Sequence, residues 1–569
     1  MLAATLAGVA QAQVVSPIKA TPSAWTGVDL TQQESTMGSP YIPIDSWIYP
    51  AMSRLAALGY VDTAFAGLRP WTRLSVANML AETSERLSDQ ANDAAADAEG
   101  VAIYHALTAE LDPDVQRSAD AGHFAQIDQL YTRAFGIGGT PLRDSYHVGS
   151  TLVNDYGRPY ESGFNNVTGV AGSAVAGRFS LFFRGEYQHA PAATGYPLAL
   201  AQQLDLIDAI IPYHPHQDTI PAGPIASVNS FRIVEATASM HLLGHEVSFG
   251  KSDEWLGPAQ GGSFAWSNNA ENIYSFRIDR VEPLRIPGLS RLTGPFRYDF
   301  LVGSLKGHTN PNAPWVHAEK LNFKPTRNLE FGFERTVIWG GEGHVPITIH
   351  TFLRSFFSFS SPTPQVKGSR GDPGARFGSF DMSYRLPYLR NWLTFYSDSE
   401  VHDDISPPSA PRRAAYRPGL YLSHMPGMPK LDLRVEAVST DPTTRRSNGG
   451  MFMYFENQQL QGYTNKGQIF GDWIGREGKG GQAWLTYHLS PRESIQLAYR
   501  NAKVSKDFIP GGTTQNDFTM QVVKRLRSDL EVNAWVQVEG WKVPLIKSGI
   551  QHDVTAAAQL TWYLPKFNR

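Results

Sequence analysis

Apolar side chains return at every second residue through much of this chain, and the positions between them are mostly polar or charged. Phe179, Leu181, Phe183, Gly185 and Tyr187 alternate with Ser180, Phe182, Arg184, Glu186 and Gln188. Successive side chains of a strand point to opposite faces, so this segment has one greasy face and one charged face. Val532, Ala534, Val536 and Val538 repeat the pattern against Glu531, Asn533, Trp535, Gln537 and Glu539. Burying those acids against a second sheet without partners costs on the order of several kcal/mol, whereas a hydrated lumen solvates them. The alternation therefore argues against a β-sandwich and for a mainly β fold, a transmembrane antiparallel β-barrel. Beyond the first residues no uninterrupted apolar stretch approaches the roughly 20 residues of a transmembrane helix, so any membrane is crossed by a closed barrel. A hydrophobic fraction of 42% and a mean hydropathy of -0.29 agree, because lipid-facing and lumen-facing residues average out.

Tight connections alternate with long ones. Lys324-Pro325-Thr326-Arg327-Asn328 separates Leu321 and Phe323 from Leu329, Phe331 and Phe333, which oppose Glu330, Gly332 and Glu334. Leu489-Ser490-Pro491-Arg492 and Arg525-Leu526-Arg527-Ser528-Asp529 read as further short turns. Polar or Pro-rich stretches at 189–227, 250–265, 402–418, 441–450 and 504–517 lie between them. Short turns at one end and long loops at the other are the asymmetry of an outer-membrane barrel, and the length available holds about 18 strands. The segment Val554 to Leu564 ends in Trp562-Tyr563, as a last strand with an interfacial girdle does, although a Pro-Lys-Phe-Asn-Arg tail replaces a terminal aromatic. The 13 Trp and 23 Tyr suit such girdles or stacking surfaces.

The start of the chain reads differently. Residues 1–12 resemble the remnant of a signal peptide, a short apolar run without a basic start that ends in Ala10-Gln11-Ala12. Residues 13–44 read as a linker, 45–122 as a periplasmic helical bundle and 123–569 as the barrel. A helix is predicted across Trp47 to Leu58, closed by Gly59. Val76, Met79, Leu80, Thr83 and Leu87 fall at helical spacing after Pro70-Trp71-Thr72, and Val101, Tyr104, Leu107 and Leu111 repeat the pattern before Pro113, which is expected to stop it.

Chemistry is constrained by what does not assemble. A chain without cysteine has no thiolate metal site, disulfide framework or Cys nucleophile. Its 50 basic and 53 acidic residues, net -3, are too balanced to indicate nucleic acid as a partner. Asp253-Glu254 and Asp403-Asp404 are adjacent carboxylates, but neighbours on a strand diverge, while glycosidase pairs converge at roughly 5 to 9.5 Å. His214-Pro-His216 with Asp218, and Glu342-Gly-His344, lack a recognised zinc spacing. No nucleophile elbow, phosphate loop or dinucleotide glycine set stands in a supporting context. Neither an enzyme, a metal nor a cofactor is expected.

Two resemblances add to this reading. The segment 46–73, SWIYPAMSRLAALGYVDTAFAGLRPWTR, resembles one repeat of a surface-layer homology module, which implies contact of the helical region with a wall polymer such as peptidoglycan. Four segments resemble the Wzi-type capsule assembly family: NDYGRPYESGFN at 154–165, WLGPAQGGSFAWSNNA at 255–270, FKPTRNLEFGFERTVIWGGEG at 323–343 and GYTNKGQIFGDWIGREGKG at 462–480. That resemblance implies a barrel of about eighteen strands with a helical bundle at its periplasmic end. It further implies a non-catalytic outer-membrane lectin, set among outer-membrane lipids, that anchors capsular or exopolysaccharide. Within those segments Trp255, Trp266, Trp339 and Trp473 offer flat faces to sugar rings, and Asn268, Asn269, Arg476 and Glu477 offer hydrogen bonds to hydroxyls and uronic carboxylates. The same residues also read as girdle tryptophans and a lumenal ion-pair network. A passive porin, or a glycan-modifying barrel enzyme, is the alternative.

Overall fold

The computed structural model describes residues 37–89, 94–208, 219–220, 222–359, 362–389, 391–402, 413–441 and 449–565. The signal remnant and most of the linker lie outside the described residues, as do Asp403-Asp404 and His214, His216 and Asp218.

Eighteen strands form one closed antiparallel sheet. In chain order they are β1 His123–Gly138, β2 Gly163–Ala176, β3 Phe179–Ala190, β4 Val228–Leu242, β5 His245–Lys251, β6 Tyr274–Asp279, β7 Phe296–Ser304, β8 Trp315–Thr326 and β9 Leu329–Trp339. They continue as β10 Ala375–Arg385, β11 Leu393–His402, β12 Ala415–Leu422, β13 Leu431–Ser439, β14 Gly478–Ser490, β15 Glu493–Val504, β16 Thr513–Arg527, β17 Leu530–Val543 and β18 Lys547–Tyr563. Each pairs with the next, and β18 closes on β1 from Gln129 opposite Tyr563 to Gly138 opposite Val554.

The alternation sorts the two faces as expected. On β3, Phe179 and Leu181 are each 55% exposed on the outside, while Arg184 is 3% and Glu186 0% exposed on the inside. Val536 and Val538 on β17 face outward and Glu539 inward. Hairpins at Gly177-Arg178, Leu243-Gly244, Arg327-Asn328, Pro491-Arg492 and Ser528-Asp529 gather at one end, and the connections 139–162, 191–227, 252–273, 340–374 and 440–477 at the other. The long connections carry two helices of note, Leu198–Ile207 and Ile349–Phe356.

At the short-turn end sits a helical cap, α1 Ile48–Ala57, α2 Arg73–Asp89 and α3 Ala94–Ala121. Its core joins Met52, Leu55, Trp71, Val76, Leu107 and Leu111. Pro113 does not end the helix: α3 runs through it to Ala121. The packing on both sides of the proline explains this, because Leu111 and Val115 are buried and Arg73 of α2 holds Glu110 at 3.1 Å and Asp114 at 2.6 Å. A proline costs a helix interior about 3 kcal/mol, which these contacts offset.

The lumen adds ion pairs to the solvation expected for its acids. Several inward-facing carboxylates are paired with cations: Glu186 with Arg158 at 2.6 Å, Asp279 with Arg297 at 3.0 Å, and Asp517 with Arg500. Pairing replaces the hydration those carboxylates lose, which is why charge survives in a filled barrel.

Candidate functional site

The lumen is filled from both ends. From the cap, the segment between α1 and α2 rises inside the wall, where the Ala66 and Gly67 amides donate to Glu330 of β9 at 2.9 and 3.0 Å. Arg69 then meets the loop 252–273 descending from above: the Arg69 and Trp255 backbones exchange hydrogen bonds of 3.1 and 3.0 Å, and the Arg69 guanidinium donates to the Gly257 and Ala259 carbonyls. The residues that resemble a wall-polymer module are thus engaged with the barrel.

Three of the long connections interlock above that meeting point. Ser267 takes a backbone bond of 2.7 Å to Phe470, the Tyr463 hydroxyl donates to the Ala265 carbonyl at 2.6 Å, and Tyr454 donates to Phe264 at 3.0 Å, so the loops 252–273 and 440–477 are stitched together. The loop 139–162 joins them through the Tyr156 and Gly157 amides, which donate to the Asn268 and Asn269 carbonyls at 2.7 and 3.0 Å. Gly462 has φ of +54°, and a Cβ there would run into the Tyr454 carbonyl, so this corner of the plug requires glycine. Leu256, Phe264, Trp266, Tyr454, Tyr463 and Phe470 belong to one apolar cluster.

One ionic node ties the plug to the wall, and a second ties the long connections to one another. Arg417 of β12 donates to both oxygens of Asp472, at 2.6 and 2.9 Å, and to Glu436 of β13 at 2.8 Å. Glu436 also accepts from the Gln260 and Gly261 amides and the Tyr396 hydroxyl. The second node is His147, whose two ring nitrogens face Asp144 at 2.8 Å and Asp208 at 2.9 Å, with Arg476 on the far side of Asp208 at 2.5 Å. Burial alone pushes the His147 imidazole down, but the Asp144 and Asp208 carboxylates outweigh it and raise it to about 9. Burial pushes Asp208 up, and Arg476 with His147 brings it below the usual carboxylate range.

The sign of the linkage follows. The His147 contribution is complete below its ordinary value near 6.5 and is lost as pH rises through about 9, while that of Asp208 is complete above about 4 and is lost on further acidification. The difference in unfolding midpoint between the native chain and His147→Gln is therefore expected to be constant from pH 5 to 6.5 and to shrink by pH 10. A difference unchanged at pH 10 would mean the imidazole is not held as a cation.

The eight residues picked out for glycan contact are all buried. Trp255 donates its indole N–H to Ala259 at 3.0 Å beneath the Arg69 guanidinium, and Trp266 packs on Phe470 with ring centroids 4.4 Å apart. Asn268 and Asn269 lie where the three loops meet. Trp473 donates to the Gly261 carbonyl at 2.6 Å, and Arg476 is enclosed by Tyr146, Phe455 and Phe508. Glu477, with φ of +47°, donates its amide to Gly450. Seven of the eight thus come together in or beside the plug. Trp339 does not: it faces outward on β9, against Trp315 and Phe352. The adjacent carboxylates also part company, Asp253 accepting from Ile44, Tyr156 and Asn272 while Glu254 pairs with Arg277 at 3.2 Å. His344 pairs with Asp372 at 2.9 Å.

The sequence pattern of the capsule assembly protein Wzi matches residues 133–556. The chain belongs to the Wzi capsule assembly family. A Klebsiella pneumoniae relative, an uncharacterised 55.8 kDa protein in the cps region, is 25% identical over 182 residues, which span 32% of this chain and 35% of the relative. Among solved structures, Wzi of Escherichia coli, an outer-membrane protein involved in group 1 capsule assembly and a carbohydrate-binding β-barrel, superposes with a TM-score of 0.66. That alignment is 15% identical and covers 92% of this chain and all of the other, so the fold is shared throughout. This Wzi-family chain is an outer-membrane barrel. Three of the four family-like segments, at 154–165, 255–270 and 462–480, meet in the plug.

Apart from Arg476, the residues of the two ionic nodes escaped the sequence reading. Arg417, Glu436 and His147 carry no motif; the one available signal is strand parity, which turns Arg417 and Glu436 to the same inner face from neighbouring strands.

Proposed function

We propose that this barrel is a non-catalytic outer-membrane lectin that attaches capsular or exopolysaccharide to the cell surface. The observation that carries this reading is the plug. A passive porin needs a path through its lumen, whereas here three long connections are bonded to one another and to the cap across it. What such a barrel offers to the outside is a fixed surface, and that surface is cationic. Lys306 and Lys466 are exposed and adjacent, the Lys466 amide donating to the Lys306 carbonyl at 2.8 Å. Lys466, with Arg232 and Lys251 below it, converges on the single carboxylate of Glu271; burial pushes it up and these cations bring it down to about 2. Excess positive charge at the long-loop end suits the uronic carboxylates of an acidic polymer. Each contact is weak, so retention grows with the number of contacts along the polymer. Carboxylates in and beside the plug, Asp472 with Arg417 and Asp208 with Arg476, are taken up in ion pairs, which favours holding over cleaving. Membership of the capsule assembly family and the carbohydrate binding of the Escherichia coli relative point the same way. In this reading the buried residues Trp255, Trp266, Asn268, Asn269, Trp473, Arg476 and Glu477 position the glycan-facing surface from below.

Purified full-length protein is expected to retain an acidic capsular polysaccharide in a pull-down, with its polymer length unchanged. The double charge reversal Lys306→Glu/Lys466→Glu should lower retention roughly 10-fold at low salt, about 1.4 kcal/mol, and the difference should narrow as salt rises. A native protein that binds no envelope polysaccharide and forms large steady channels in planar bilayers would be a porin.

A further inference from the structure

One helix of the long-loop end is on the wrong side of the wall for a plug. The helix Ile349–Phe356, here α4, lies in the connection 340–374 between β9 and β10. On β8, Val316, Ala318 and Lys320 point into the lumen, so His317 and Glu319 point out, on the same surface as the exposed Leu321. Arg335 of β9, directly opposite Glu319, shares that outer face with Phe333, which is 54% exposed. Ionisable groups facing lipid are destabilising in proportion to their depth, yet three stand together here.

They are not bare. His317 is bonded to Glu319 and, at 2.9 Å, to the Ser355 hydroxyl of α4; Arg335 donates to Glu319 at 3.0 Å and to the Phe356 carbonyl at 2.5 Å. Phe352 packs on Trp339 and Phe356 on the outward ring of Phe300. One face of α4 therefore covers the polar cluster. The other is exposed: Ile349 is 81%, Leu353 45% and Phe357 63% exposed. Depth can be gauged from the wall. Trp315 and Trp339 end their strands at the rim, and Arg335 lies four residues below Trp339; at about 3.3 Å per residue and a tilt near 40°, the helix end reaches roughly 10 Å below the rim. Its apolar face is continuous there with the lipid-facing belt of Leu321 and Phe333.

We propose that α4 is a strap embedded in the outer leaflet, its Ile349, Leu353 and Phe357 face occupied by lipid acyl chains while its opposite face seals the His317, Glu319 and Arg335 cluster from the bilayer. The chain holds the helix by its own side chains, through the Thr348 and Thr351 capping box at its start and the Arg335 bond at its end. The inference does not depend on glycan binding.

The absence of native cysteine makes the test direct. Leu353→Cys and Phe357→Cys are each spin-labelled in the full chain and reconstituted into phosphatidylethanolamine and phosphatidylglycerol vesicles. Phe333→Cys serves as the lipid-facing reference and Lys506→Cys as the aqueous one, with heat-modifiable mobility confirming that every variant folds. The ratio of oxygen to nickel-chelate accessibility at both test sites should lie within twofold of Phe333→Cys and about 10-fold above Lys506→Cys. A ratio more than twofold below the lipid-facing reference at either site overturns the proposal.

Discussion

Replacing Arg417 by Met is expected to open the barrel. Arg417 is fully buried, and it is the cation that Asp472 and Glu436 share. Methionine fills much of the space but leaves two carboxylates inside a lumen with their charge unanswered. Removing one partner of a buried pair costs about 3–5 kcal/mol. The cost falls on the plug rather than on the wall, because the wall strands keep their ladder bonds while Asp472 belongs to the loop 440–477 and the Gln260 and Gly261 amides, which Glu436 holds, belong to the loop 252–273. A loop assembly can be released by a few kcal/mol that would not unfold the barrel. Planar-bilayer recordings should show a silent native protein and a conducting Arg417→Met variant, with heat-modifiable mobility retained. A variant as silent as the native chain would mean that the apolar packing of the plug holds without its wall anchor.

Trp473→Ala should lower the unfolding midpoint more than any other single substitution among the eight residues first associated with glycan. The ring is 3% exposed, its N–H holds the Gly261 carbonyl, and the guanidinium groups of Arg417 and Arg500 lie 5.3 and 5.1 Å from its centroid. Truncating a buried tryptophan costs roughly 3–5 kcal/mol through lost burial and the cavity left behind. Because Trp473 and Arg417 share one network, the double variant should lose less than the sum of the two single losses. The readout also separates two roles for the indole. Were Trp473 a sugar platform, its loss would release polysaccharide while the midpoint stayed put; as a plug residue, it should lose glycan retention only in step with stability.

The barrel was legible because lipid and lumen select side chains at alternate positions. Phe179 to Gln188 declared both faces of β3 within ten residues, the length of the barrel portion set the strand number, and the short turns and long loops its polarity. Pro113 misled because local propensity was outweighed by Arg73, Glu110 and Asp114, partners that a local pattern does not pair. The site was half legible. The segments 255–270 and 462–480 stood out as rich in aromatic and amide groups, but such a composition suits a sugar surface and a self-complementary plug equally well. What decides between them is that Ser267 lies against Phe470 and Tyr463 against Ala265, neighbours separated by about two hundred positions. Trp339 fits the girdle reading of the same residues: its parity places it outside the wall, under a helix that has no counterpart in the strand pattern.

The stitching of distant loops also sets an order of events. The bond from Ser267 to Gly471 closes a span of 204 positions, and that from Arg492 to Glu110 a span of 382, whereas the hairpins close across two residues. Long closures carry their entropy cost before their contacts repay it, so hairpins zip early and the plug and cap seat late. The cap is made first and docks late: Trp47, packed against the cap's core, gains the Arg492 guanidinium over its ring only when that distant part of the chain is in place. During biogenesis the newly made chain therefore passes through a stage in which a greasy cap and two aromatic loops have no partners, and it is then that the molecule is most exposed to aggregation and most dependent on a chaperone.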